Sequence, residues 1–403
     1  MNKKLGIYEL KLFDKPLLRL SLDAPVSVIE VDASCLDLLP AGLSLDDEGL
    51  WKWLSARAIP QNRKFSAALC RHLDLAVNDR RGILAACNGL SLNDSYWLTP
   101  EDFDGRFDDF NLYENEFSEV LAAIAYTGNI SAEAGLTPLS PELTTNGTLR
   151  KAWRIHPDGT RCLYKGSSVS SKHVGEARAE FLASQVARAM GLNAVEYDLA
   201  TWAETSAEAC STCKLFCSKD VSYVPQAVAT GHPSHAQAAR DLLLWNNDAF
   251  EQYASMMVFD SLIYNTDRHL TNFGMLRDSH TGGYLSPAPL FDNGRSLFFD
   301  LGFNQSGDFS QESRFKLPSW SQVTFEEQAA RLIGPVQQAQ LEKLQGFEFV
   351  NNTKLAFPTP YLEDLSRFIQ KRAEQLLSFP TQSREALREA AQATREKKSS
   401  HIY

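Results

Sequence analysis

The sequence predicts an α+β chain with a β-rich lobe at about residues 140–231 and a helical lobe at 232–382. A separate N-terminal α/β domain precedes them over 1–130, and a charged tail closes the chain at 383–403. Three observations carry this. Residues 5–32 and 143–200 contain short apolar runs broken by Gly, Pro and Asn turns, the pattern of strands. Residues 235–263 and 325–379 carry apolar side chains at helical spacing instead. Between 128 and 143 Gly, Ser, Pro and Thr accumulate, which marks a boundary. With 403 residues, 44% of them hydrophobic, the chain can bury a large core.

In the N-terminal region Ile7 to Phe13 alternates and Val26 to Val31 is rich in β-branched residues, so both read as strands. Glu48 to Leu54 reads as a helix with Trp51 and Leu54 on one face, broken by the stretch from Arg57 to Arg63. Lys64 to Leu75 has helical spacing. Gly89 to Trp97 reads as a polar-aromatic loop without an evident role. Phe103 to Phe117 mixes acids with aromatics and reads as a solvated docking surface or as a site for a basic partner. Glu119 to Tyr126 is a short helix that Thr127-Gly128-Asn129 ends.

Leu143 to Ile155 reads as a strand, a small-residue turn and a strand. Such a turn can lay backbone N–H groups over phosphates. Pro157-Asp158-Gly159 closes a hairpin into Arg161 to Lys165, with Lys165 on the face of Leu163. Gly175 to Met190 is a strong helix that Gly191 stops. Phe181, Gln185 and Ala189 repeat along it, Leu182 and Val186 extend the apolar face, and Glu180 sits beside that face, within reach of a lysine on a facing strand. Val195 to Ala200 and Lys214 to Cys217 read as returning strands. His235 to Trp245 and Asp248 to Ile263 are helices, as are Phe325 to Ile333, Val336 to Leu344 and Tyr361 to Phe379. Pro335 can start its helix and Pro380 can stop the last of these. Phe315 to Trp320 is a loop, and residues 383–398 form a charged helix, solvated or frayed.

The helix ending at Ile263 delivers a polar cluster, Asn265-Thr266-Asp267-Arg268-His269, and then Asn272. After a turn-rich stretch, Pro289-Leu290-Phe291 leads into the acidic turn Asp292-Asn293-Gly294. Phosphoryl transfer from ATP needs one carboxylate facing the accepting hydroxyl, plus an amide and a second carboxylate that hold Mg²⁺ against the phosphates. Asp267 fits the first role, Asn272 and Asp292 the other two. His269 reads as a residue that packs and hydrogen-bonds to hold the loop, and Arg268 as a substrate or phosphate contact or a solvated side chain.

The formal net charge is −10, which argues against broad binding to nucleic acid or anionic membrane. No apolar stretch approaches the roughly 20 residues that span a bilayer. Charges interrupt the N-terminal MNKKLGIYELKLFDKPLL, so it does not read as a signal peptide. Seven cysteines, four of them scattered singly, predict a reducing cytoplasm. Cys210-x-x-Cys213-x-x-x-Cys217 would need a fourth ligand to hold zinc, with His232 or His235 nearest. A buried strand with apolar thiols is the plainer reading.

Over about residues 140–380 these motifs resemble the HipA-like serine/threonine kinases, bacterial members of the protein-kinase-like fold. Asn265-x-Asp267-x-His269-x-x-Asn272 is similar to that family's catalytic loop, and Asp292 occupies the place of its second metal-binding aspartate. Thr145-Asn146-Gly147-x-x-x-Lys151 is similar to its phosphate-covering loop, and Glu180 to the glutamate that pairs with its ATP-binding lysine, here Lys165. The resemblance implies a bilobal fold that uses ATP and Mg²⁺, with Lys165 on the α- and β-phosphates and the adenine against the strand around Phe216. It implies a serine or threonine of a protein as acceptor, autophosphorylation, and an inhibitory partner protein or the 1–130 domain holding a toxin-like activity off. Candidate hydroxyls near the phosphate loop are Thr144, Thr145, Thr148, Ser167, Ser168, Ser170 and Ser171. Two departures stand out. The phosphate loop has a single Gly, and the metal turn reads Asp-Asn-Gly rather than Asp-Phe-Gly, so no aromatic switch is expected there. The loop also resembles that of phosphatidylinositol kinases, so a lipid or small-molecule kinase and a nucleotide-binding pseudokinase remain alternatives.

Overall fold

A computed structural model of the chain describes residues 4–129, 139–170, 172–203, 206–231, 234–318 and 323–399. In chain order, strands β1 (Ile7–Leu12), β2 (Lys15–Ser21) and β3 (Ser27–Val31) precede helices α1 (Asp47–Arg57), α2 (Ser66–His72) and α3 (Arg80–Ala86). Strand β4 (Tyr96–Pro100) leads to helices α4 (Phe107–Phe110) and α5 (Glu119–Thr127), then strands β5 (Lys151–Ile155) and β6 (Arg161–Lys165). Helix α6 (Gly175–Met190) precedes strands β7 (Tyr197–Thr201), β8 (Ala209–Lys214) and β9 (Val221–Pro225). Helices α7 (Gln226–Ala229), α8 (His235–Trp245) and α9 (Asn247–Ile263) come next, then strands β10 (Gly274–Asp278) and β11 (Tyr284–Pro287). The chain closes with helices α10 (Phe309–Glu312), α11 (Phe325–Leu332), α12 (Pro335–Glu342), α13 (Thr359–Leu377) and α14 (Arg384–Ser399). Among the described residues no helix is long and apolar enough to cross a membrane.

The chain forms two compact units. The first comprises Met1–Gly166, Cys213–Val224 and Met275–Leu285; the second Ser167–Thr212, Pro225–Gly274 and Ser286–Tyr403.

In the first unit, an antiparallel sheet runs β3-β2-β1-β4. Its period is the expected two: Tyr8, Leu10 and Leu12 of β1 are buried and their neighbours are not. The Gly89–Trp97 stretch is no idle loop. Asp94 takes a bidentate pair from Arg57 at 2.8 and 2.9 Å, and Tyr96 and Trp97 begin β4. Trp97 then nucleates a cluster with Phe107, Leu112, Phe117 and Trp153, with Phe103 and Phe110 packed against it. The aromatics of the acidic segment therefore face a core while Asp104, Asp108, Asp109, Glu114 and Glu116 stay exposed. The strand expected at Leu143 is absent, because Pro141–Leu143 is a 3-10 turn with Pro at its start. β5 and β6 form the expected hairpin, with Lys151 opposite Lys165. A further sheet runs β11-β10-β9. Buried Arg277 of β10 fixes it by donating to Asp37 O at 2.9 Å, Leu39 O at 3.0 Å and Tyr96 Oη at 3.0 Å. β8 ends at Lys214, so Leu215, Phe216 and Cys217 lie beyond the strand expected there.

In the second unit, α6 runs over the expected residues and ends at Gly191 with φ of 75°. Its buried stripe is Ala179, Leu182, Ala183, Val186, Ala187 and Met190, one step round from the Phe181/Gln185/Ala189 line. Gln185 instead sits at the margin and exchanges two hydrogen bonds with the Val350 backbone at 2.8 and 3.0 Å. Helix α9 is buried on nearly every side, which explains its lack of a polar face. The loop expected at Phe315 to Trp320 starts in a 3-10 turn, Ser313–Phe315, and its last two residues lie outside the described ones. The tail is helical but not simply solvated, since Arg384 at the start of α14 pairs with Glu251 at 2.7 Å and Ala391 is buried.

Candidate active site

Helix α9 ends where Tyr264 turns left-handed, φ 54°, and its N–H returns to Asp260 O. The reversal throws residues 265–272 back across the end of the helix. Asp260, buried at the last turn, organises this loop. Asn265 Nδ2 donates to Asp260 Oδ1 at 2.9 Å, and Arg268 clamps the same carboxylate through Nε to Oδ2 at 2.9 Å and Nη2 to Oδ1 at 3.0 Å. Arg268 uses its remaining donors on Asn272 O at 2.9 Å, Phe291 O at 2.6 Å and Asn293 Oδ1. One buried guanidinium thus binds the helix, the 265–272 loop and the 291–293 turn into a single piece, a use suited to its rigid fork of five donors. Burial disfavours its charge, but Asp260, helped by Asp292 and Glu180, outweighs that and raises its pKa.

The expected residues hang on this frame. Asp267 is partly exposed, with its N–H on Asn265 Oδ1 at 3.2 Å and Arg295 Nε at 3.7 Å from its carboxylate. Asn272 Nδ2 donates to Asp267 O at 2.9 Å, which leaves the amide oxygen as its coordinating atom. Asp292 adopts φ of 58° and its N–H points to Tyr197 Oη at 3.3 Å. The next N–H, of Asn293, donates to Glu180 Oε2 at 2.9 Å. Glu176 and Glu180 lie four apart on α6 and so share a face. A Cβ at Gly294 would sit 3.0 Å from Glu176 Cβ and 3.3 Å from Glu180 Oε1, which is why that turn ends in glycine. Asp260 is matched by Arg268 and Asp267 lies near Arg295. An amide oxygen and a carboxylate fit Mg²⁺ shared with phosphate oxygens, for that ion keeps few protein ligands in such sites.

Two expectations about this loop are corrected. Arg268 is neither a substrate contact nor solvated, because Asp260 holds it inside. His269 is exposed, bonding Thr271 Oγ1 at 2.7 Å, and does not pack under the loop. That part falls to His235, which the sequence suggests only as a zinc ligand. Buried His235 is 2.9 Å from Arg268 O through Nε2 and 3.2 Å from Tyr253 Oη through Nδ1, and burial lowers its pKa to about 4. Cys210 and Cys213 lie on β8. Among the described residues no group of three or more His, Cys, Asp or Glu could hold a metal, and His232 falls outside them.

The first unit carries the remaining expected residues. Thr145, Asn146 and Gly147 form an irregular turn before β5, and Lys151 Nζ folds back on Asn146 O at 2.8 Å. Gly147 has φ of 96°, a conformation that strains any other residue, and the Lys151 ammonium lies over it. The turn is fixed from below by Arg63, which in the sequence reads only as part of a helix break. Arg63 pairs with Glu142 at 2.8 Å, both side chains wholly buried, and donates to Glu142 O at 3.0 Å, Thr145 O at 3.1 Å and Lys151 O at 2.5 Å. Glu142 in turn accepts the Trp153 N–H at 2.7 Å. Lys165 is buried at the end of β6. Phe216 is half-buried, edge-on to Tyr223 at 5.7 Å. Thus Glu180, Asp267, Asn272 and Asp292 lie in the second unit, and Thr145, Asn146, Gly147, Lys151, Lys165 and Phe216 in the first.

Comparison with known proteins adds a lineage. A family model described as the HipA-like C-terminal domain matches residues 143–344. The chain resembles the Shewanella oneidensis MR-1 toxin–antitoxin HipA, HipB and operator DNA complex at 14% identity and TM-score 0.53, covering 95% of this chain and 99% of that one. This likeness shows a shared fold. It also matches the Helicobacter pylori proinflammatory kinase CtkA at 15% identity and TM-score 0.40, over 60% of this chain and 94% of that one. No curated protein matches.

Proposed function

The chain belongs to the HipA-like C-terminal domain family, and on that premise we propose that it is an ATP- and Mg²⁺-dependent serine/threonine protein kinase. The observation that carries the proposal is the Arg268 framework, which holds the Asp267 loop, the Asn272 carbonyl and the turn of Asp292 in one rigid group. In this reading Asp267 takes the proton of the attacking hydroxyl. The hydroxyl oxygen bonds to the γ-phosphorus, the bond from that phosphorus to the bridging oxygen breaks, and ADP leaves. Bound through Asn272 and Asp292, Mg²⁺ would neutralise the phosphates. Lys165 would meet the α- and β-phosphates and Glu180 would orient it, while Thr145, Asn146, Gly147 and Lys151 would cover the phosphates and Phe216 would face the adenine. Residues 140–231 and 232–382 would be the kinase lobes and 1–130 an accessory domain.

Autophosphorylation is part of the reading, and the hydroxyl partners narrow it. Thr144 Oγ1 is buried on Leu90 O at 2.7 Å and Thr145 Oγ1 bonds Pro141 O at 2.7 Å, whereas Thr148 is exposed, as are Ser168 and Ser170, whose hydroxyls bond Glu176 and, at 3.0 Å, His173 Nδ1. Ser171 lies outside the described residues. The related complex contains HipB and operator DNA, which supports a protein partner here and leaves a role at DNA as the outcome to test. A reducing cytoplasm is the proposed compartment, on the odd and scattered cysteines of the sequence.

Incubation with γ-labelled ATP and Mg²⁺, alone and with a protein acceptor, tests the proposal. Label on the wild type but not on Asp292→Ala is the expected result. ATP binding without label favours a pseudokinase, label on lipid vesicles alone favours a lipid kinase, and absence of ATP binding sinks the reading.

A further inference from the structure

The second unit holds a cavity of about 410 Å³ lined by none of the residues assigned above to catalysis. This size suits a small ligand. Its apolar wall is aromatic: Tyr264, Phe309 and Phe368, the last two with ring centres 5.7 Å apart. Its polar lining holds four cations, Arg314, Arg367, Lys371 and Arg372, against two carboxylates, Glu326 and Asp364. In a chain of net charge −10 this is a local excess of positive charge.

The pairing shows where the excess lies. Arg372 is buried, stacks over the Tyr264 ring at 4.5 Å, and meets Glu326 at 2.5 Å. Arg367 pairs with Asp364 one turn away on α13. Arg314, on the 3-10 turn Ser313–Phe315, and Lys371, on α13, are exposed and have no ion pair or hydrogen bond among the described residues. Both line the same cavity. Two cations without an ion pair lining one cavity favour an anionic ligand there.

We propose that this cavity binds a phosphate monoester, its dianion between Arg314 and Lys371 and its organic part on the Tyr264–Phe309–Phe368 wall. A dianion matches the surplus of two charges, and an aromatic floor beside cations suits an ester better than bare phosphate. The site stands whether or not the chain transfers phosphate. Tyr264 nevertheless leads directly into the 265–272 loop, so a ligand there lies next in sequence to the candidate active site.

Calorimetric titration of the full chain with phenyl phosphate, inorganic phosphate and phenol tests the site. The expected result is one phenyl phosphate per chain, bound more tightly than inorganic phosphate, with phenol silent. The double variant Arg314→Ala, Lys371→Ala, both at exposed positions and so neutral to folding, should lose at least about tenfold in affinity, or 1.4 kcal/mol. Asp292→Ala should keep full affinity. Unchanged binding by the double variant, binding lost in Asp292→Ala, or no binding of phenyl phosphate to the wild type overturns the proposal. A phosphoserine peptide that binds tighter than phenyl phosphate identifies a phosphorylated protein as the source, and weaker binding identifies a small metabolite; both support the site.

Discussion

Two buried arginines, Arg63 in the first unit and Arg268 in the second, do related work with different material. Arg268 grips a carboxylate with two nitrogens and then reaches two backbone carbonyls and a side-chain amide. Arg63 makes a single-nitrogen contact to Glu142 and otherwise holds backbone carbonyls only. The first therefore positions the residues proposed to carry chemistry, the second only the path of a turn. The lesson is that irregular loops, which lack a ladder of their own hydrogen bonds, are fixed here by a guanidinium from below. It also gives the N-terminal region a physical part. Arg63 belongs to residues 1–130, yet it holds both ends of the 145–151 turn.

Breaking either hub tests the difference. Arg268→Met strands the Asp260 charge in the interior and should be the most damaging change, costing about 3–5 kcal/mol of stability in a denaturant titration. Replacing both partners, Arg268→Met with Asp260→Leu, should recover much of that stability but no phosphate transfer, which separates folding from positioning. Arg63→Met should cost about 3 kcal/mol and weaken ATP binding while leaving the turnover of saturated enzyme near normal. An equal fall in turnover would erase the distinction drawn between the two arginines.

The hub at Arg268 has a pH dependence of its own, through His235. Its folded pKa, about 4, lies below the ordinary histidine value. As the pH falls through about 6.5 the unfolded chain takes up a proton that the folded chain refuses, so stability declines towards the folded pKa. The loss should reach roughly 2 kcal/mol by pH 5, and His235→Gln should remove that part of the slope. The smallest expected effect is at the turn of residues 292–294. Gly294→Ala brings a Cβ against Glu176 and should cost about 1 kcal/mol, read as a small shift in midpoint with a larger effect on Mg²⁺ dependence.

Much of this was legible in the sequence because it is local. Helix α6 carries its own stop at Gly191, the β5–β6 hairpin its Pro-Asp-Gly turn, and Asp267, Asn272 and Asp292 their order and spacing. The family that these motifs resemble is the one that matches. What escaped is held by distant partners. Arg63 and Glu142 are 79 residues apart, and His235 and Arg268 are 33 apart, with no periodicity to link them. Asp260 was the exception. A lone acid inside the apolar run Val258-Phe259-Asp260-Ser261-Leu262 must be paired when buried, and Arg268 is the first cation after it. The absent strand at Leu143 has a plain cause as well: Pro141 removes an N–H donor and starts a 3-10 turn.

In the proposed reaction Asp267 acts on the accepting hydroxyl rather than on the nucleotide. ATP affinity and γ-phosphate transfer, measured on one preparation of Asp267→Ala beside the wild type, test it most directly. The account predicts ATP affinity within about twofold of wild type and loss of transfer. Full transfer by Asp267→Ala, or ATP binding lost together with it, would contradict the account.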